Sequence, residues 1–159
     1  RRDDGIKPEI ETLDSSFFDK VFTNYATIAE ESEKGFTAQN QVGRSIKTDK
    51  TLMKQLMTIL FDNAIKYTED DGQVTLTVRT NDRHLYITVA DNGPGIADED
   101  KKKIFDRFYR VDEARTRQKG GFGLGLSLAQ QIVLALKGTI IVKDNQPKGT
   151  IFEVKITGV

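Results

Sequence analysis

Apolar residues recur at helical spacing in three stretches and alternate with polar ones in two others, so the chain is predicted to interleave helices and strands. Phe17, Phe18, Val21, Phe22, Tyr25 and Ile28 make the stripe of a first helix, with Asp14, Ser15 and Ser16 as candidate caps ahead of it. Asp49 offers the cap of a second helix, which places Leu52, Leu56, Ile59, Leu60 and Asn63 on one face. A third spans about 123–137, through Leu124, Leu128, Ile132 and Leu136. Val74, Leu76 and Val78 alternate with Thr75, Thr77 and Arg79; Leu85, Ile87 and Val89 alternate with Tyr86 and Thr88; and Asn81-Asp82-Arg83 joins the two runs as a hairpin. A second strand pair, 140–143 and 150–156, flanks the turn Asn145-Gln146-Pro147-Lys148-Gly149. Shorter strands are predicted at 9–13, 35–40 and 43–48. Because the closing pairs read as hairpins, the pattern predicts an α+β fold rather than a doubly wound parallel sheet. The expected form is a two-layer α/β sandwich, with a mixed sheet of about five strands covered on one face by three helices.

From about 105 to 122 the periodicity dissolves into a basic stretch with glycines and phenylalanines, and a connection of that length is predicted to be a functional, flexible lid. The rest of the composition mainly excludes. The 159 residues suit one domain, and 24 basic against 24 acidic side chains favour neither nucleic acid nor an anionic membrane as partner. The lack of cysteine removes disulfides, thiolate catalysis and thiolate zinc sites. No run approaches the roughly 18 apolar residues of a membrane span.

Four segments carry candidate chemistry. Strand alternation puts Asp91 of Asp91-Asn92-Gly93-Pro94-Gly95-Ile96 on the same face as Leu85, Ile87 and Val89, at the strand's end. A carboxylate aimed at the covered layer needs donors, and an adenine amino group is one; glycines would let backbone approach a flat ring. A tight turn capped by the aspartate explains the same residues. Within Asp62-Asn63-Ala64-Ile65-Lys66-Tyr67, Asn63 lies on the inward stripe, where its amide oxygen suits magnesium or simply satisfies neighbouring backbone. Lys66 and Tyr67 follow on the adjoining edge. In Gly120-Gly121-Phe122-Gly123-Leu124-Gly125-Leu126-Ser127, glycines open into a helix, a ready anion site or a bare hinge. The spacing matches neither the dinucleotide fingerprint nor a P-loop. The intervening arginines Arg107, Arg110, Arg115 and Arg117 suit triphosphate contacts or a solvated surface.

In this order the segments resemble the conserved boxes of the sensor histidine kinase catalytic domain, whose ATP-binding fold is shared with type II topoisomerases and ninety-kilodalton heat-shock chaperones. The resemblance implies ATP and Mg2+ as cofactors. Asn63 corresponds to the magnesium-binding asparagine, with Lys66 and Tyr67 on phosphates and ribose. Asp91, Gly93, Gly95 and Ile96 correspond to the adenine-binding box, with the aspartate accepting the amino hydrogen. Phe105 and Phe108 correspond to the phenylalanine box, and Arg110 and Arg115, with Lys66, to groups that neutralise phosphates during transfer. Gly121, Phe122, Gly123, Leu124 and Gly125 correspond to the second glycine box, and Thr150 to the last strand. On this resemblance residues 1–8 are the end of a dimerisation helix or linker and 9–159 the ATP-binding catalytic domain, with its lid at about 105–122.

The implied function is transfer of the γ-phosphoryl group of Mg-ATP to a histidine on separate dimerisation helices, with a response regulator as indirect partner. The resemblance further implies a monomeric fragment of a homodimer, forming the cytoplasmic domain of a membrane sensor. The chain's only histidine, His84, begins a strand and lacks the helical histidine-acid context of an acceptor. Four residues before Asn63, where kinases of this family commonly carry another asparagine, stands Ile59. That departure keeps open a nucleotide-sensing module without transfer; a serine kinase of the same fold is a further alternative.

Overall fold

The computed structural model describes residues 5–107, 109 and 125–159. In chain order it has β1 (Glu11–Leu13), α1 (Ser15–Glu31), β2 (Gly35–Gln41), β3 (Ile46–Thr48), α2 (Lys50–Tyr67), β4 (Gln73–Thr80), β5 (His84–Asp91), a short α3 (Asp98–Lys101), α4 (Gly125–Ala135), β6 (Gly138–Asp144) and β7 (Thr150–Thr157). The principal sheet runs β2-β4-β5-β7-β6, with β2 parallel to β4 and every other pair antiparallel. The expected mixed sheet of five strands is present. β1 and β3 pair antiparallel as a separate two-stranded piece.

Alternation decides which face is covered. On β4 and β5, Val74, Leu76, Val78, Leu85, Ile87 and Val89 are buried, and Phe152, Val154 and Ile156 continue that face on β7. The helices supply the other half of the layer through Phe18, Val21 and Phe22 of α1, Met53, Leu56, Leu60 and Phe61 of α2, and Ala129, Ile132 and Val133 of α4. Tyr25 of α1 stacks on Phe61 with ring centroids 4.3 Å apart, and Phe36 of β2 meets Phe61 edge-on at 5.3 Å, so one aromatic cluster ties two helices to the sheet edge. Burial pushes the Tyr25 hydroxyl up to about 12, and it remains satisfied by Thr58 Oγ1 at 2.6 Å.

Both predicted caps form. The Asp14 carboxylate accepts from Ser16 N–H at the start of α1. At α2 the Asp49 carboxylate has two tasks: Oδ1 accepts from Leu52 N–H at 2.9 Å, and Oδ2 accepts from Glu9 N–H at 2.7 Å. The segment entering the domain is thereby fastened to the helix that bears Asn63. Asp49→Ala removes a cap and orphans a second backbone donor, so thermal unfolding should report a loss of about 2 kcal/mol.

Candidate nucleotide site

The strand alternation that buries Leu85, Ile87 and Val89 carries Asp91 into the covered layer at the C-terminal end of β5, where it is 6% exposed. Its Oδ1 accepts from Gly93 N–H at 2.9 Å. Burial raises the carboxyl above the usual aspartate range, against the opposing pull of backbone donors at Gly93 and Thr150. Asn92 meanwhile closes the β4–β5 ladder, since its Oδ1 accepts from Gln73 N–H at 2.9 Å and its N–H donates to Gln73 O at 3.3 Å. The capped turn and the buried carboxylate are therefore both present: one turn serves to present the other's acid group.

The fold supplies its own reasons for the glycines here. A Cβ at Gly93 would lie 2.7 Å from the carbonyl oxygen of Tyr67, the last residue of α2, so it is the helix end that requires the missing side chain. Gly95 has φ +83°, a left-handed conformation that glycine adopts without strain. Ile96 is half-buried and packs against the core.

α2 brings the remaining described pieces to the same end. Asn63 is half-buried, and among the described residues its carboxamide has no hydrogen-bond partner. One turn before it, Ile59 packs against the core, its Cγ2 only 3.5 Å from where a Cβ at Gly125 would stand. One turn after it comes the Tyr67 carbonyl against Gly93. A single helix thus sets Asn63 between Gly125 at the start of α4 on one side and the turn after β5 on the other. Ile59 serves packing between helices there. Lys66 is exposed, and Asp62, one turn earlier, has its carboxyl raised by burial and lowered in part by Lys66. Thr150, directly opposite Asp91 in the sheet register, is buried.

Of the phenylalanines, Phe105 packs edge-on against Phe152 of the core, with centroids 6.2 Å apart, so it belongs to the folded body. Phe108, Arg110, Arg115, Gly121, Phe122, Gly123 and Leu124 lie outside the described residues. His84 is half-buried at the far end of β5, beside Tyr86 and away from these groups. Among the described residues no cluster of three or more histidine, cysteine, aspartate or glutamate side chains is arranged to hold a metal. Among the described residues the amide oxygen of Asn63 has no partner, and it is a hard ligand that fits a cation taking most of its coordination from water and phosphate. Sequence reasoning missed Asn145 and Gly149, which contact the Asp91 main chain; the turn signal in Asn145-Gln146-Pro147-Lys148-Gly149 was legible, its opposite number in the sheet was not.

The turn that follows the buried carboxylate of Asp91 abuts the end of α2, whose Asn63 has no hydrogen-bond partner among the described residues, an arrangement that suits an adenine nucleotide. The chain belongs to the histidine kinase-, DNA gyrase B- and HSP90-like ATPase family, which matches residues 48–158. Within it, the chain is 67% identical over 156 residues to the sensor protein CiaH of Streptococcus pneumoniae serotype 4, an overlap of 98% of this chain and 35% of that protein. It therefore spans about a third of that relative's length. Among solved structures, the mycobacterial sensor histidine kinase MprB superposes with a TM-score of 0.78 at 27% identity, over 93% of this chain and 98% of that one. Full-length ShkA in complex with AMPPNP shares the fold with a TM-score of 0.81, at 24% identity over 97% of this chain and 32% of that one. Among the described residues no helix is long and apolar enough to cross a membrane.

Proposed function

We propose that this chain binds Mg-ATP and transfers the γ-phosphoryl group to a histidine on separate dimerisation helices of the same sensor kinase. The observation that carries the reading is Asp91: a carboxylate buried at a strand end, with only backbone donors among the described residues, is suited to the exocyclic amino group of adenine. Asn63 would contribute its amide oxygen to magnesium, a cation that would draw together the phosphate oxygens and offset their charge. Lys66 and Tyr67, on the following turn, suit phosphate and ribose. Gly93, Gly95, Ile96 and Phe105 shape the adenine side, and Gly125 and Thr150 border it. Arg110 and Arg115 are assigned to the phosphates, Phe108 to the lid, and Gly121, Phe122, Gly123 and Leu124 to the approach of α4. Phosphoryl transfer asks mainly for positioning and charge, which is what this set of side chains supplies.

The AMPPNP-bound state of ShkA, the kinship to the sensor protein CiaH and the likeness to the sensor histidine kinase MprB support this reading. The assignment extends to the whole protein: residues 1–8 as the link from the dimerisation helices, a homodimeric membrane-bound sensor whose cytoplasmic part includes this domain, and a response regulator downstream. Ile59 favours one second reading, a module that binds nucleotide without transfer, because it offers neither metal nor water a ligand. Mixing the chain with its histidine-bearing helices and γ-labelled ATP separates the two. Base-stable, acid-labile label on the helices is the expected result, while nucleotide binding without such label would leave only the sensing role.

A further inference from the structure

The turn between β6 and β7 holds polar groups that nucleotide binding does not itself use. Asn145 Nδ2 donates to the main-chain carbonyl of Asp91 at 2.8 Å, and its Oδ1 accepts from Gln146 N–H at 2.8 Å. The Asn145 N–H donates to the Gly149 carbonyl at 3.0 Å. Gly149 in turn is pressed onto the same Asp91 carbonyl, close enough that a Cβ would lie 1.9 Å from that oxygen. On its other side the Gly149 carbonyl faces Gly95, where an added Cβ would stand 3.4 Å away. Further along, Lys101 Nζ of α3 meets Asp144 Oδ1 at 2.9 Å and also pairs with Asp98. Elsewhere the loop at 94–97 and the turn at 144–149 are separated by an open cleft of about 290 Å3. Beside the strand pairing of Asp91 with Thr150 and the close approach of Gly149, these polar contacts hold the turn against the end of β5.

We infer that Asn145 is a positioning residue for adenine recognition, holding the main chain of Asp91 so that its carboxylate stays aimed into the covered layer. The inference rests on the reading of Asp91 as the purine-binding group. A carboxylate held at one place accepts from the amino group of adenine and repels the keto oxygen that guanine carries instead. Loosening the backbone beneath it blunts both effects at once. Loss of Asn145 should therefore lower affinity for adenine nucleotide and shrink the preference for adenine over guanine. General destabilisation would instead reduce the fraction of protein able to bind either nucleotide and leave the preference unchanged.

The test is calorimetric titration of the chain with ADP and with GDP in wild type, Asn145→Ala, Asn145→Asp and Asp91→Asn. Asn145→Ala should weaken ADP about three- to tenfold, as expected for one neutral hydrogen bond, with unchanged stoichiometry and a smaller ratio of ADP to GDP affinity. Asn145→Asp has the same shape but sets an acceptor against the Asp91 carbonyl, so it should weaken ADP further. If Asp91→Asn loses ADP while both Asn145 variants stay within twofold of wild type with the same base preference, the positioning role is wrong and the adenine reading stands. If Asp91→Asn keeps wild-type affinity, the adenine reading itself fails, and this inference with it.

Discussion

Asp91→Asn is expected to abolish adenine nucleotide binding while leaving a protein at least as stable as wild type at neutral pH. The two halves of that outcome have separate causes. Gly93 N–H fixes one carboxylate oxygen at 2.9 Å, so the asparagine would keep its oxygen there and turn its NH2 toward the place where the other oxygen had accepted. Adenine's amino group would then meet a donor. The loss combines a charge-assisted hydrogen bond with an unpaired buried donor, more than about 3 kcal/mol together, or beyond hundredfold in affinity. Stability moves the other way because burial raises the Asp91 carboxyl despite the bonds from Gly93 and Thr150. An unfolded aspartate ionises near pH 3.9, whereas the folded one ionises only at higher pH. The burial cost of the charge therefore develops as pH rises between those two values and is fully present above the folded-state one. A neutral side chain avoids it. Melting curves should place the variant level with or above wild type at pH 7, with the difference closing as pH falls below the folded-state value. Calorimetry should find no heat of ADP binding. Retained affinity would contradict the adenine role, and a marked fall in melting temperature would show that the charged form stabilises the fold.

Much of this site was legible before any coordinates, and what was not follows from how sheets are built. Period-two alternation along β5 already determined that Asp91 shares a face with Leu85, Ile87 and Val89, because neighbouring side chains on a strand must point to opposite sides. The period of α2 likewise placed Asn63 on the stripe of Leu56 and Leu60. Caps at Asp14 and Asp49 were local chemistry and formed as local chemistry does. Pairing was different. Nothing along the chain says that β2 lies parallel to β4, or that β1 leaves the main sheet to pair with β3, since both depend on which edge remains free once the helices have packed. The short α3 was missed for a related reason: one helical turn has no apolar period to display. A second reason for Gly93 was not legible, because its tight neighbour is the Tyr67 carbonyl, which comes close only when α2 ends against the turn after β5. Asn145 and Gly149 stayed hidden because their partner, Asp91, is 54 residues from Asn145 in the chain.

That hidden contact carries the second large expectation. Gly149→Ala should destabilise the fold by at least about 3 kcal/mol and remove nucleotide binding with it. Two independent penalties add at this residue. Its φ of +114° lies where a side chain is strained, a cost of about 1–3 kcal/mol. The added methyl would also sit 1.9 Å from the Asp91 carbonyl oxygen and 2.8 Å from Asn92 Cα. Those are backbone atoms in the closing turn of the sheet, without the freedom of a flexible side chain to move away. Relief must come from parting β7 from β5 at the pair Asp91 and Thr150, which are neighbours in the register. Parting them breaks the backbone donation from Thr150 to the carboxylate and moves the purine-binding residue itself. Urea unfolding should show a lower midpoint with an unchanged slope, because the same surface is exposed on unfolding. Gly158→Ala supplies the control, since that glycine also has a positive φ, +79°, but a Cβ there meets nothing within 4 Å. The control should lose only the conformational cost and retain ADP binding. Equal losses in the two variants would mean that strain alone accounts for Gly149 and that the close contact with Asp91 contributes nothing.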